Sequence, residues 1–356
     1  MRVLALTKYG PLAASTRQRF LQYAPALAAA GITLDVAPLL GDDHVRRIVA
    51  GKRASPLAVA RAYGRRVAAL LTARRFDVLW LHCESFPFLP GWVERLVFVR
   101  GRPVVFDFDD AIFHGYDSHR SRTVRRVLGR KLEPILHRAA ACICGNAYLE
   151  HYASRWCART MIVPTVVDTD AWVPRDPSDD DAVTIGWIGS PTTFAHLAPV
   201  LPLLRELAER PDVRVRIIGA GAAAAGHTLG RIERVEWREA SEIAQVQGFD
   251  IGIMPLPDTP FERGKSGYKL VQYMACGVAA VASPVGVNAG IVVEGETGLL
   301  ATSEEEWRAA LERLIADAGL RRRMGQAGRA RAVAHYSLGV QAPRLVALFE
   351  SLGAAR

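Results

Sequence analysis

The chain has 356 residues, half of them hydrophobic, and its 45 lysines and arginines against 36 aspartates and glutamates leave a net charge of +9. That length suits two domains of ordinary size, and the apolar content supports a large core and excludes a disordered polymer. No apolar run reaches bilayer-spanning length. The N-terminal run is too short for a signal peptide, and five scattered cysteines, with Cys142 and Cys144 one residue apart, give no zinc spacing. A reduced, cytoplasmic setting follows.

Residues 3–7 predict a strand, 8–16 a loop with Gly10, 17–30 a helix closed by Gly31, and 32–39 the next strand. This order is a parallel crossover unit, with a ligand site at the strand's carboxyl end. Ser15, Thr16 and Arg17 stand at the helix start as candidate anion contacts. A basic helical region to Arg75 leads to a strand at 78–82, a proline-rich segment and a helix at 92–99. Residues 104–110 predict a buried strand that carries Asp107, Asp109 and Asp110. Another strand spans 139–145, and Asn146 caps the helix after it. Residues 174–181, PRDPSDDD, are the composition break and read as a linker. A second alternating series begins at 183–189 and includes a helix at 201–209, strands at 213–218 and near 235, a helix at 241–247 and a strand at 250–255. Helices at 303–317, 320–335 and 338–352 close the chain.

Residues 261–298 are the stretch on which the chemistry centres. The glycine-bearing loop 262–267 lets backbone approach a ligand, and it enters an apolar-rich helix at 268–276 that Gly277 ends. The first amides of such a helix form an anion site, flanked here by Lys265 and Lys269. Gln272 lies four residues after Tyr268, on the same face. After an apolar strand at 278–283 a second helix starts near Asn288, and two helix N-termini near one strand end suit a diphosphate.

Gln272-Tyr273-Met274-Ala275-Cys276-Gly277-Val278-Ala279-Ala280-Val281-Ala282-Ser283 resembles the donor-binding segment of family 4 (group 1) glycosyltransferases, which have the GT-B fold. The runs 15–20, 107–113, 145–149, 164–168, 186–192 and 264–269 resemble a bacterial subgroup associated with surface-polysaccharide assembly. The resemblance covers most of the chain. It implies α/β architecture, with two Rossmann-like doubly wound domains facing across a cleft. Residues 1–173 would bind the acceptor, 174–182 would link, 183–336 would bind the nucleotide sugar, and 337–356 would pack back on the first domain. It also implies a retaining transfer from a nucleotide-diphosphate sugar to a hydroxyl acceptor, a glycan or lipid-linked saccharide, with no cofactor and no obligatory metal. Donor contacts fall on Gly189, Ser190, Thr192, Lys265, Ser266, Gly267, Tyr268, Lys269 and Gln272. Acceptor-side contacts fall on Ser15, Thr16 and Arg17. Two departures stand out: Gln272 occupies the position of a ribose-holding glutamate, and Gly264 that of a glutamate holding donor-sugar hydroxyls.

The aspartate run admits several chemistries. In the GT-B reading Asp109 and Asp110 match a His-Asp pair that orients the acceptor or takes its proton. With Lys265 they form the catalytic candidates. A magnesium-dependent phosphatase would need a second acidic pair after a later strand, and the acidic run 179–181 lies in a linker-like segment instead. A metal-binding Asp-x-Asp of the GT-A fold leaves the second half unexplained. A strand end capping a helix is the plain structural alternative. His82 reads as a packed, hydrogen-bonded residue and Trp237 as core or surface, neither a metal ligand by spacing. Arginines and lysines cluster at 46–75 and 120–131. They read as solvated helix faces or as an attraction to anionic lipid headgroups, placing the protein peripherally at the inner face of the cell membrane. Nucleic acid is not expected, because no aromatic–basic interleaving accompanies the charge. Other readings of the same fold are a nucleotide-sugar epimerase and a non-catalytic nucleotide-sugar binder.

Overall fold

The structure is a computed structural model that describes residues 1–52, 55–98, 101–175 and 182–354. Contacts divide the chain into two compact units. One comprises Met1–Thr165, Thr259–Ser266 and Leu338–Arg356, and the other Val166–Asp258 and Gly267–Ser337.

The first unit is a six-stranded parallel sheet of β1 (Arg2–Leu6), β2 (Thr33–Val36), β3 (Val78–His82), β4 (Val104–Phe108), β5 (Ala141–Cys144) and β6 (Thr160–Ile162). Its order is β2-β1-β3-β4-β5-β6. The central strands β3, β4 and β5 are buried along their whole length. That is why they read as continuous apolar runs: a parallel sheet is covered on both faces. The helix expected at 17–30 is broken into Ala14–Arg19, a 3-10 turn Leu21–Tyr23 and Ala24–Ala29. Phe20 leaves the helical region at φ −130°, and Pro25 restarts the helix from its first turn, where a missing N–H costs nothing. The helix expected at 92–99 is only a 3-10 turn, Val93–Val97. Helix Leu338–Ala354 packs in this unit, its Phe349 ring 5.1 Å from that of Trp80.

The second unit repeats the architecture with β7 (Val183–Ile188), β8 (Val213–Ile218), β9 (Glu233–Val235), β10 (Ile251–Met254), β11 (Ala279–Ala282) and β12 (Gly298–Leu300), in the order β12-β11-β10-β7-β8-β9. Strand order reverses between β7 and β10, and ligands of open α/β sheets bind outside the carboxyl ends of the strands at such a reversal. Tyr273 straddles that point: its hydroxyl accepts from the Ile188 amide at 3.3 Å and donates to the Ile253 carbonyl at 3.2 Å. Residues 166–173 pack on this unit. Arg329 donates to the carbonyls of Thr169 at 2.7 Å and Trp172 at 2.5 Å, and the Val167 amide donates to Tyr336 at 3.2 Å. The compact division therefore falls at Thr165–Val166, ahead of the expected linker, whose residues 176–181 lie outside the described ones. Among the described residues, no helix is long and apolar enough to cross a membrane.

Candidate active site

In the first unit the three aspartates do three different jobs. Asp107, the fourth residue of β4, is buried, and Arg19 donates to its Oδ1 from Nε (3.0 Å) and Nη2 (2.8 Å). Trp80 Nε1 donates to Oδ2 at 3.0 Å. Asp107 is thereby saturated and serves the fold. Beyond the strand, Asp109 lies 3.3 Å from His82 Nε2. Asp110 meets the Lys265 ammonium at 3.1 Å.

Lys265 arrives there because residues 259–266 belong to this unit. The loop expected at 262–267 begins with a short helix, Pro260–Arg263, ended by Gly264. Asn146 then clamps it: besides capping its own helix by accepting from the Leu149 amide at 3.0 Å, it donates from Nδ2 to the carbonyls of Gly264 (3.0 Å) and Lys265 (3.1 Å). Gly264 lies so close to Ala111 that a Cβ would stand 2.4 Å from the Ala111 Cβ and 2.8 Å from its amide nitrogen. No glutamate fits at 264, which accounts physically for that departure. Gly264→Ala is expected to destabilise the chain by about 1–3 kcal/mol, the usual cost of overpacking, read from chemical denaturation.

The electrostatics separate the two outer carboxyls. Burial pushes Asp109 up, but the hydrogen bond and charge of His82 outweigh it and hold the group at about 2. Asp109 is an anion at neutral pH. Asp110 is raised above the ordinary aspartate value, first by burial; Lys265 opposes this and the Asp109 charge adds to it. His82 is held well above the ordinary histidine value: burial opposes protonation, and its Cys83 and Asp109 neighbours overcome it. His82 is buried and hydrogen-bonded as expected, and its partner is the candidate catalytic carboxylate. The signal was available in strand parity: His82 pairs in register with Asp107, and Asp109 lies two residues on. The acceptor-side candidates hold their own loop. Thr16 Oγ1 donates to the Tyr9 carbonyl at 2.8 Å, Arg17 Nη1 donates to Leu12 at 2.8 Å and Pro11 at 3.1 Å, and Ser15 opens the same short helix Ala14–Arg19.

In the second unit, Gly267 N-caps helix Tyr268–Ala275 with φ +66°, and a Cβ there would lie 2.3 Å from Ile291 Cδ1. Only glycine suits both constraints. The first turn is the positive end of this helix, and its Leu270 amide donates to the Gly267 carbonyl at 2.9 Å. Ser266 ends the segment carried by the first unit, so the chain passes between units at Ser266–Gly267. Lys269 Nζ lies 5.5 Å from the Trp187 ring centre. Gln272 is buried and donates to Glu242 Oε1 at 2.9 Å. Sequence reading missed Glu242, thirty residues away, which brings a carboxylate beside the position where Gln272 replaces one. After β7, Gly189 leads into a hydroxyl cluster: Ser190 Oγ lies 2.8 Å from Thr192 Oγ1, and the Ser190 amide donates to Thr193 Oγ1 at 3.0 Å.

Two doubly wound parallel sheets carried on one chain in this order are the GT-B glycosyltransferase fold. Solved structures of that fold match the chain end to end. Sucrose-phosphate synthase from Thermosynechococcus elongatus is 18% identical with a TM-score of 0.75, covering 100% of both chains. The Anabaena protein HepE, solved in complex with UDP and glucose, is 15% identical with a TM-score of 0.71, covering 99% of this chain and 100% of that one. A glycosyltransferase from Rickettsia africae is 13% identical with a TM-score of 0.68, over 99% of this chain and 98% of that one. At these identities the likeness is one of fold. No curated protein matches the chain. Residues 182–317 match the family model described as glycosyl transferases group 1.

Proposed function

We propose that the protein transfers a glycosyl group, with retention, from a nucleotide-diphosphate sugar to a hydroxyl of a glycan or lipid-linked saccharide. The observation that carries this reading is the pairing of Asp109 with His82 and of Asp110 with Lys265 beyond the carboxyl ends of β3 and β4. Asp109 orients the acceptor hydroxyl and draws on its proton as the new bond forms. The leaving diphosphate gains charge, which the first-turn amides of helix Tyr268–Ala275 and Lys269 stabilise. Gln272 and Glu242 together take the ribose hydroxyls. Retention follows from the family resemblance. The Anabaena relative's complexes with UDP and with UDP-glucose make UDP-sugars the first donors to try.

Lys265 has two claims on it, the diphosphate and Asp110. Lys265→Ala is expected to lower kcat/KM by about tenfold, as for loss of one charged hydrogen bond. If Asp110 is its working partner, Asp110→Asn adds little to Lys265→Ala, and the double-mutant cycle is strongly non-additive. Additive losses would return Lys265 to the diphosphate, and unchanged kinetics in Lys265→Ala would remove it from both.

We further propose that a surface of the first unit meets an anionic membrane. Leu57, Val67 and Leu71 are exposed on helix Pro56–Thr72, in company with exposed Arg61 and Arg65. Phe88, Trp92 and Leu96 are exposed nearby in sequence. Not every cation of the basic clusters contributes: Arg66 and Lys131 are buried, Lys131 pairing with Glu84 at 2.8 Å and Glu94 at 3.1 Å. A basic, partly apolar helix face suits the interface of an anionic bilayer. The protein is expected to sediment with vesicles containing phosphatidylglycerol, and Leu57→Ser with Leu71→Ser is expected to abolish this. Equal sedimentation of that variant would rule the surface out.

A further inference from the structure

Successive residues of a strand point to opposite faces, so His82 and Cys83, the last residue of β3 and the one after it, should not reach a common point. They do. Cys83 has φ +62°, a left-handed conformation unusual for a residue other than glycine. One imidazole nitrogen of His82, the Cys83 Sγ and one Asp109 carboxylate oxygen all lie within 4.8 Å of one another. Cys83 and His82 are buried, and among the described residues His82 Nδ1 has no hydrogen-bond partner. Strained backbone of this kind persists where the surroundings impose it and gathers at functional sites.

We propose that His82, Cys83 and Asp109 form a binding site for one soft divalent cation, with Zn²⁺ as its type, and that occupancy stops glycosyl transfer. Nitrogen, sulfur and oxygen donors are zinc's usual set, and three protein ligands leave a fourth position open. With zinc's ordinary bond lengths, tetrahedral donor atoms stand roughly 3.3–3.7 Å apart. The His82–Asp109 separation of 3.3 Å is already there, and rotation of the Cys83 side chain closes the remainder. The ion takes Cys83 as a thiolate, whose proton goes to solvent, and His82 as a neutral base. Asp109 then gives a lone pair of one oxygen to the cation, which neutralises its charge and removes the basicity needed to draw a proton from a hydroxyl. The inhibitory half of the proposal rests on the role given to Asp109 above; the binding half does not.

The test is a Co²⁺ titration of the full chain, followed by thiolate-to-cobalt charge-transfer absorption in the near ultraviolet, which needs no turnover. One ion per chain is expected, displaced by Zn²⁺. Zinc is expected to inhibit transfer over the same titration, with recovery on adding a chelator. Cys83→Ser should lose both the band and the zinc inhibition while keeping its transfer activity and melting temperature. No band in the native chain, or an undiminished band in Cys83→Ser, would overturn the site. A band that forms while zinc leaves transfer unaltered would overturn the inhibition alone. A chain that shows the band but transfers no sugar to any acceptor would keep the site and refute the function proposed for Asp109.

Discussion

Asp109→Asn is expected to lower the rate of glycosyl transfer by about 10²–10⁴-fold, the usual contribution of a positioned acid–base group. The substitution keeps the shape and the contact to His82, 3.3 Å away, and removes the negative charge. Binding of the nucleotide moiety should hardly move, because its proposed contacts lie on other residues. The two effects separate in single-turnover measurements with saturating donor. A large rise in donor Kd with an unaltered chemical step would mean that Asp109 binds and does not act on the acceptor. Asp107→Asn is the matching control, and its damage should appear as lost stability.

Arg19→Met is expected to destabilise the chain by about 3–5 kcal/mol, the cost of leaving one member of a buried pair uncompensated. Arg19 and Asp107 are each about 1% exposed. Arg19 also donates to the Val163 carbonyl at 2.6 Å, tying helix Ala14–Arg19 to the chain just beyond β6. Chemical denaturation of Arg19→Met reads this directly. Arg19→Met with Asp107→Leu should recover part of the loss, since an apolar replacement of the whole pair no longer buries a lone charge. It should not recover all, because Trp80 Nε1 loses its acceptor. A loss below about 1 kcal/mol for Arg19→Met would place the pair among those with little net worth.

The alternating strands of both units were legible from apolar runs and their punctuation. The breaks within elements were less so: Phe20 turns the first helix on its own backbone angles, which no periodicity announces. The site was legible in part. The aspartate run drew attention to the carboxyl end of β4, yet composition could not divide it. Asp107 is claimed by Arg19, 88 residues earlier, and Asp110 by Lys265, 155 residues later. Pairings of that range are set by how crossovers bring loops together, and local pattern carries no trace of them. The loss of a carboxylate at Gln272 was plain, whereas Glu242 opposite it was not, since it opens an unremarkable helix, Glu242–Gln247. Cys83 escaped because His82 was set aside as a ligand on spacing alone, and the left-handed backbone at Cys83, which spacing does not reveal, goes with a sulfur close to the His82 and Asp109 donors.

The most direct test incubates the purified protein with a panel of nucleotide-diphosphate sugars, with and without saccharide acceptors, and identifies the products by mass spectrometry and NMR. Release of the nucleoside diphosphate from one donor, an acceptor heavier by one sugar of unchanged anomeric configuration, and loss of both in Asp109→Asn is the predicted result. A donor sugar isomerised without acceptor, or tight donor binding with no turnover under any condition, would contradict the assignment as a transferase.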